Sequence, residues 1–524
     1  MKRYRSGKTG VVIGLAWLFA SAAAAQPNDT NMLRAEVGKA LGPGAKKGAT
    51  VVVVVVDGLT GQTLLTTPNA DAAFIPASNM KLVTSATALD LYGPEARLTT
   101  TLAISGDDLV VIGGGDPGLG DPTLEAKAGR TPMSVFDEWE AALRRRGVGL
   151  ITGDVVVVDA VFAGPTTHPT WGDANKLQWY GAPVAGVNFN DNCVDFTFLP
   201  SQKSGGMASV RVLPPAGGFV VNGKVKTTRD VKKHNPILDK RPSPSETGDS
   251  IYTVGGWVAR EAGPYSKPVD DPRRFFGEVL KAALQERGIR VLGGVRVVET
   301  PIEGRPVASR DTPLLAVLRR VNTNSQNMMA EALAKLNGLS HQIDQGVPRD
   351  EARGSWASGH EAAVTFLRGI GIDTLPLAAA DGSGLSRENR VSANLLAGLL
   401  THMLRQHEHG EYFLDSLAVS GVRGSLRNRM KSLEGRVYGK TGTINGVSTL
   451  SGYVFAENGR VAVFSILHND IKGGSSPYRA QQDAAVQAIA AWLEGHPTVE
   501  LDAPSVPTEV GEAMRHVGLV GAAE

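Results

Sequence analysis

A serine hydroxyl barely ionises near neutral pH, so it becomes a useful nucleophile only when a base stands beside it. Ser78-Asn79-Met80-Lys81 supplies that pairing. Positions i and i+3 share one face of a helix, so the Lys81 amine can reach the Ser78 hydroxyl. A helix N-terminus also favours the negative charge that develops there. Two further clusters could complete an acyl-transfer site. Ser325-Gln326-Asn327 offers a second hydroxyl and an amide between two helix-like segments. Lys440-Thr441-Gly442-Thr443 lies in a strand-like stretch, where Gly442 would let a substrate backbone approach closely. Each cluster also has an ordinary reading: a helix cap with a solvated lysine, a capping turn, a solvated strand face. An S-x-x-K arises by chance about once or twice in 500 residues, and a K-T-G in roughly one such chain in ten. Their joint order carries the weight.

The elements around them are readable. Thr50 to Asp57, with six consecutive valines, is a buried strand, and Gly58 to Gln62 a turn. Pro76 and Ala77 lead into a helix bearing Leu82, Val83, Ala86 and Leu89, stopped by Gly93 and Pro94. From about Arg97 to about Pro301 the texture turns to short strands. Thr99 to Ile104 and Leu109 to Ile112 form a hairpin; Val155 to Val158 and Ser209 to Leu213 are strands. Ser201 to Gly206 and Lys232 to Ser250 are polar loops, and Pro272 to Arg287 is an amphipathic helix. Asp311-Thr312-Pro313 opens a helix; the next, with Met328, Met329, Leu333 and Leu336, stops at Gly338. Arg436 to Ile444, Leu450 to Ala456 and Arg460 to Leu467 are antiparallel strands, with a hairpin at Asn458-Gly459. Gln481 to Glu494 is a closing helix.

Composition removes other function classes. Lys2, Arg3, Arg5 and Lys8 precede an apolar run and an A-x-A site at Ala23 and Ala25, which reads as a cleaved export signal over residues 1–25. The formal charge of +2 includes those four bases, so the exported chain carries about −2 and presents no nucleic-acid surface. Cys193, the single cysteine, excludes an intrachain disulfide and a multi-cysteine zinc site, and reads as a small buried hydrophobe. His407 and His409 near Glu408 and Glu411 lack H-E-x-x-H spacing, so no metal site is expected. Gly113 to Gly120 lacks the G-K-[S/T] of a phosphate loop, and serine acyl transfer needs no cofactor. No later segment is long and apolar enough to span a membrane.

S-x-x-K, S-D-N and K-T-G occur together in penicillin-binding proteins and class A β-lactamases. The chain resembles peptidase family S13, the class C low-molecular-mass penicillin-binding proteins, over nearly all of its exported length. The resemblance rests on Phe74 to Lys81, Gly113 to Pro117, Tyr180 to Val184, Asn188 to Asn192, Asp381 to Arg387, Ser420 to Leu426 and Ser451 to Val454. Ser325 follows Ser78 by about 250 residues, an interval that fits this family's inserted domains and is too long for a β-lactamase.

That resemblance implies an α/β (α+β) fold: a β-lactamase/transpeptidase-like domain, antiparallel sheet with helices on both faces, split by a large β-rich two-domain insertion. It places the catalytic domain at residues 26–96 plus 300–499, inserted domain II at 97–164 plus 251–299, and nested domain III at 165–250. A loose tail covers 500–524. It implies a periplasmic serine-type D-alanyl-D-alanine carboxypeptidase and endopeptidase, with peptidoglycan stem peptides and β-lactams as ligands. Ser78 would be the nucleophile, Lys81 its base, with a pKa depressed by Lys440, and Ser325 a proton relay. Asn327 would hold the peptide amide. Lys440, Thr441 and Thr443 would bind the terminal carboxylate, and the Ser78 and Thr443 N–H groups the oxyanion. Asp159 would meet the free ammonium of a diamino-acid side chain. Two alternatives remain at this stage: a β-lactamase, which in class A form needs an E-x-x-L-N glutamate that the sequence lacks, and a non-catalytic penicillin-binding module.

Overall fold

The structure, a computed structural model, describes residues 27–42, 48–242, 249–405 and 407–496. The expected export signal at 1–25 and the expected tail at 500–524 lie outside the described residues.

The valine run explains the main sheet. Alternate residues of a strand face opposite sides, so a continuous apolar run suits a strand covered on both. Val52, Val54 and Val56 enter one core and Val53 and Val55 another. Thr50–Asp57 sits in a six-stranded antiparallel sheet. The order is Ala418–Val419, Val437–Ile444, Val447–Phe455, Val461–Asn469, Thr50–Asp57, Thr63–Thr66. The first core takes the helices Met80–Tyr92, Leu314–Thr323, Asn327–Asp344, Trp356–Gly369 and Ala393–Arg405. Helices Pro27–Leu41 and Ser476–Gly495 pack against each other and supply the second.

The insertion builds a five-stranded mixed sheet, ordered Val295–Val298, Val155–Val158, Asp108–Gly113, Arg97–Ser105, Arg305–Pro313. Phe136, Trp139, Phe189 and Phe276 form the aromatic centre of its core. The sheet pairings move two expected boundaries. Arg305–Pro313 pairs with Arg97–Ser105, so this stretch belongs with the insertion sheet, and the helix expected from Asp311 begins at Leu314. The cut at 250/251 falls in the strand Ser250–Val258, which pairs with Asn235–Arg241 and Phe219–Gly223 of the nested unit. Ala262–Pro268 pairs with Cys193–Leu199, so the nested unit extends to about residue 268.

Two local expectations also change. The polar stretch Lys232 to Ser250 contains the strand Asn235–Arg241, which is exposed on one face and therefore lacks a continuous apolar run. The helix expected to stop at Gly338 runs on to Asp344. Gly338 is there for close packing: a Cβ would lie 2.3 Å from Ser358 Oγ and 2.6 Å from Gly359 N.

Buried contacts seat the insertion on the catalytic domain. Arg320 of helix Leu314–Thr323 donates to Asp121 at 2.7 and 2.9 Å and to Asp191 at 3.1 Å. Asn190, Asp191 and Asn192 hold left-handed φ of 52–55°, a turn that Asn and Asp tolerate best.

Candidate active site

Ser78 sits in a single 3-10 turn, Ala77–Asn79, that feeds helix Met80–Tyr92. Ala77 has a φ of 47°, a left-handed conformation that costs energy in any residue with a Cβ. Packing holds the turn. Thr449 Oγ1 donates to the Pro76 carbonyl at 2.8 Å, and Asn79 Nδ2 donates to Ser451 Oγ at 2.7 Å. Both partners come from strand Val447–Phe455. Gly442 lets the neighbouring strand come close: a Cβ would lie 2.2 Å from Thr449 Oγ1 and 3.0 Å from Ser78 N. Gly442 therefore makes room for the protein's own serine turn, whereas the sequence suggested room for a substrate backbone.

Lys81 is completely buried, and its Nζ has three partners. It lies 3.2 Å from Ser78 Oγ, 2.7 Å from Asn327 Oδ1 and 2.8 Å from the Ser383 carbonyl. Three acceptors match three ammonium hydrogens. As a neutral amine it can donate to Asn327 and Ser383, leaving its lone pair for the Ser78 hydroxyl. Burial pulls the Lys81 pKa down to about 7, while the negative charges of Glu331 and Asp381 push it back up. This corrects the expected cause. Burial, not repulsion by Lys440, is the main depressor of Lys81. The like-charge repulsion is felt at Lys440, whose pKa lies well below its usual value, first from burial and then from Lys81.

Lys440 is likewise fully buried. Its Nζ donates to Ser325 Oγ at 2.9 Å and to the Thr441 carbonyl at 3.0 Å. Ser325, at a φ of 62°, occupies the turn between helices Leu314–Thr323 and Asn327–Asp344. Thr441 Oγ1 donates to Ser425 Oγ at 2.8 Å, and Arg479 Nη2 donates to Thr443 Oγ1 at 3.2 Å. Asn327 bridges two parts of the chain, since its Nδ2 donates to the Tyr180 carbonyl of the insertion at 2.7 Å.

Ser78, Lys81 and Asn327 thus form one linked group, and Ser325, Lys440 and Thr441 another. Asp159 is bonded to neither group. It is buried on the insertion, accepts from Gly186 N at 2.7 Å and lies 3.7 Å from Arg273 Nη1. Burial raises its pKa, opposed by the Gly186 hydrogen bond and Arg273.

Sequence reasoning missed Glu331 and gave Asp381 no role. Glu331 is completely buried one helical turn after Asn327. Asp381 accepts from Gly384 N, Ser386 N, Asn389 Nδ2 and Trp171 Nε1, and so shapes the loop that presents the Ser383 carbonyl to Lys81. A polar residue recurring every four positions along an apolar helix (Asn327, Glu331, Lys335) was the available signal.

The chain has counterparts among known proteins. The model of the D-Ala-D-Ala carboxypeptidase 3 (S13) family matches residues 33–492. A D-alanyl-D-alanine carboxypeptidase of Actinomadura sp. (strain R39) is 30% identical, covering 89% of this chain and 86% of its own. D-alanyl-D-alanine carboxypeptidase DacB of Haemophilus influenzae is 23% identical, covering 80% and 85%. In fold, the chain is similar to the crystal structure of penicillin binding protein 4 (dacB) from Haemophilus influenzae. The TM-score is 0.70 at 22% identity, covering 86% of this chain and 99% of that one.

Proposed function

Since this chain belongs to the D-Ala-D-Ala carboxypeptidase 3 (S13) family and is a serine-type D-alanyl-D-alanine carboxypeptidase, we propose a mechanism in which Ser78 forms the acyl-enzyme and Lys81 is its base. Ser78 Oγ attacks the carbonyl between the last two D-alanines of a peptidoglycan stem peptide while neutral Lys81 takes its proton. A base is most effective when its pKa lies near the working pH, and a Lys81 pKa of about 7 meets that condition. The tetrahedral oxyanion lies against the Ser78 and Thr443 N–H groups. Ser325 relays the proton held by Lys81 to the leaving amine, expelling D-alanine and returning Lys81 to its neutral form. Water, activated by the same base, then releases the shortened peptide. Thr441 and Thr443, with the Lys440 Nζ behind them, receive the terminal carboxylate.

The observation that carries this reading is the contact set of Lys81 Nζ, which joins the S-x-x-K serine, the S-x-N asparagine and the Ser383 carbonyl around one buried amine. Penicillin acylates the same hydroxyl because its strained amide imitates the D-Ala-D-Ala end. We extend the proposal to crosslinks, with a D-Ala–diaminopimelate bond cleaved in the same way, and place Asp159 near the free ammonium of that side chain. We further propose a periplasmic location after removal of residues 1–25; among the described residues no helix is long and apolar enough to cross a membrane. Incubation with crosslinked muropeptide dimers and with monomeric pentapeptides, followed by product separation, tests the proposal. Release of D-alanine and conversion of dimers to monomers are expected. Intact dimers beside trimmed pentapeptides would remove the endopeptidase half.

A further inference from the structure

Helix Asn327–Asp344 presents three buried polar side chains at four-residue spacing, and the middle one has no part in the mechanism above. Asn327 holds Lys81. Lys335 donates to the Ala163 and Pro165 carbonyls at 3.1 Å and lies 4.0 Å from the centre of the Trp356 ring. Between them, Glu331 receives three N–H donors from two places in the chain: Trp356 Nε1 at 2.7 Å, and the adjacent amides Gly382 N and Ser383 N, each at 2.9 Å. Burying a carboxylate is costly unless donors satisfy it, and here every contact is a donor. The donors favour the anion, while burial and then the charge of Asp381 push the Glu331 pKa up to about 7, so the carboxylate ionises over the same pH range as Lys81.

The position of Ser383 gives this carboxylate a consequence. Glu331 grips the amide of Ser383, and the carbonyl of the same residue accepts from Lys81 at 2.8 Å. We infer that Glu331 is a positioning residue for the acylation step: it fixes the Gly382–Ser383 backbone beneath Lys81 and supplies the negative charge against which Lys81 gains and loses its proton. The inference rests on Lys81 acting as the base.

Other charges face this pair. Asp381, in the loop after Ala380, adds negative charge at both Lys81 and Glu331, and Lys440 on strand Val437–Ile444 is within electrostatic reach of Lys81. Lys335 faces Glu331 from the next helical turn, and His168 packs edge-on against Trp356 with its centroid 4.7 Å away. Of these groups, Glu331 alone is bonded to the residue that holds Lys81. A glutamine there would keep the shape, lose the charge and turn an NH2 group toward N–H donors.

The test measures penicillin acylation of the full chain against pH for wild type, Glu331→Gln and Glu331→Asp, with thermal unfolding as a check on folding. Glu331→Gln should slow acylation about ten- to hundredfold, the range expected for a lost charge-assisted contact. It should also move the acid limb of the profile down by about one pH unit, because removing a nearby negative charge makes the Lys81 ammonium easier to deprotonate. Glu331→Asp keeps the charge but not the reach, so its rate should fall while the limb stays at the wild-type position. A slower Glu331→Gln enzyme with an unmoved limb would show a purely structural role and overturn the inference, as would an unchanged rate. If Glu331→Gln does not fold, Trp356→Phe removes one donor and keeps a ring for Lys335. A weaker downward shift is then expected, and an unmoved limb again overturns the inference. Wild-type protein that penicillin does not label would instead sink the serine–lysine reading itself, a result distinct from all of these.

Discussion

Two of the regions that bury charge in this molecule differ in what surrounds the charge, and one of them is the proposed site of chemistry. At the cleft, Lys81 and Lys440 are fully buried and burial lowers both pKa values. Within the insertion and at its seam with the catalytic domain, burial raises Asp116 to about 7 and Asp191 well above its usual range. Strongly shifted groups are therefore not by themselves a mark of catalysis. The partners differ. The Lys81 amine faces the hydroxyl of Ser78, which is half-buried and reachable, on a turn held in an unfavourable conformation. These carboxylates face Arg320, Thr312 and the Gly118 amide, which close them off. A shifted group next to a reachable nucleophile is the distinguishing feature.

Ser78→Ala should break the cleft and spare the seam. Hydrolysis of D-Ala-D-Ala peptide should fall by at least about a thousandfold, as for removal of other serine nucleophiles. Stability should change by no more than about 1–2 kcal/mol. A variant that kept most of its rate would show that the distinction had been drawn at the wrong residue. Arg320→Met is the reverse case. It leaves the buried Asp121 and the partly buried Asp191 without their cation, which should cost about 3–5 kcal/mol in denaturant unfolding. The folded fraction should still be acylated by penicillin at the wild-type rate, and a large loss there would merge the two regions.

The cleft was more legible in the sequence than the seam, for a physical reason. Ser78 and Lys81 are three apart on a helix, and Lys440 to Thr443 lie on one strand, so each motif's local geometry follows from its spacing. What brings the motifs together is long-range, and sequence order alone carried it. Glu331 was hidden because Met328, Met329, Leu333 and Leu336 dominate its helix. The strand Asn235–Arg241 was hidden because one of its faces meets solvent. Arg305–Pro313 was assigned to the wrong domain because the helix after it suggested a boundary that sheet pairing overrides. The nested unit's edge failed in the same way at Ser250–Val258.

Asp159 sharpens the comparison because it is buried like a seam residue and proposed as a cleft residue. Its Gly186 and Arg273 contacts satisfy it without substrate. Arg273 also pairs with Asp271 and Glu299, so Asp159→Ala should not unfold the protein. If Asp159 also receives a substrate ammonium, the variant should lose about ten- to a hundredfold on peptides bearing that ammonium. Acylation by a penicillin with an apolar side chain should hardly change. Equal losses on both would place Asp159 with the seam.

The central claim is that Ser78, activated by Lys81, is the nucleophile, and mass spectrometry of the penicillin adduct tests it most directly. The labelled protein is digested and the modified peptide sequenced, with the labelling rate followed across pH. The account predicts a single adduct on Ser78. Its rate should rise as pH increases through about 7, because Lys81 must lose its proton before it can accept another from the serine. An adduct on any other residue, or none from a protein shown to be folded, would contradict it.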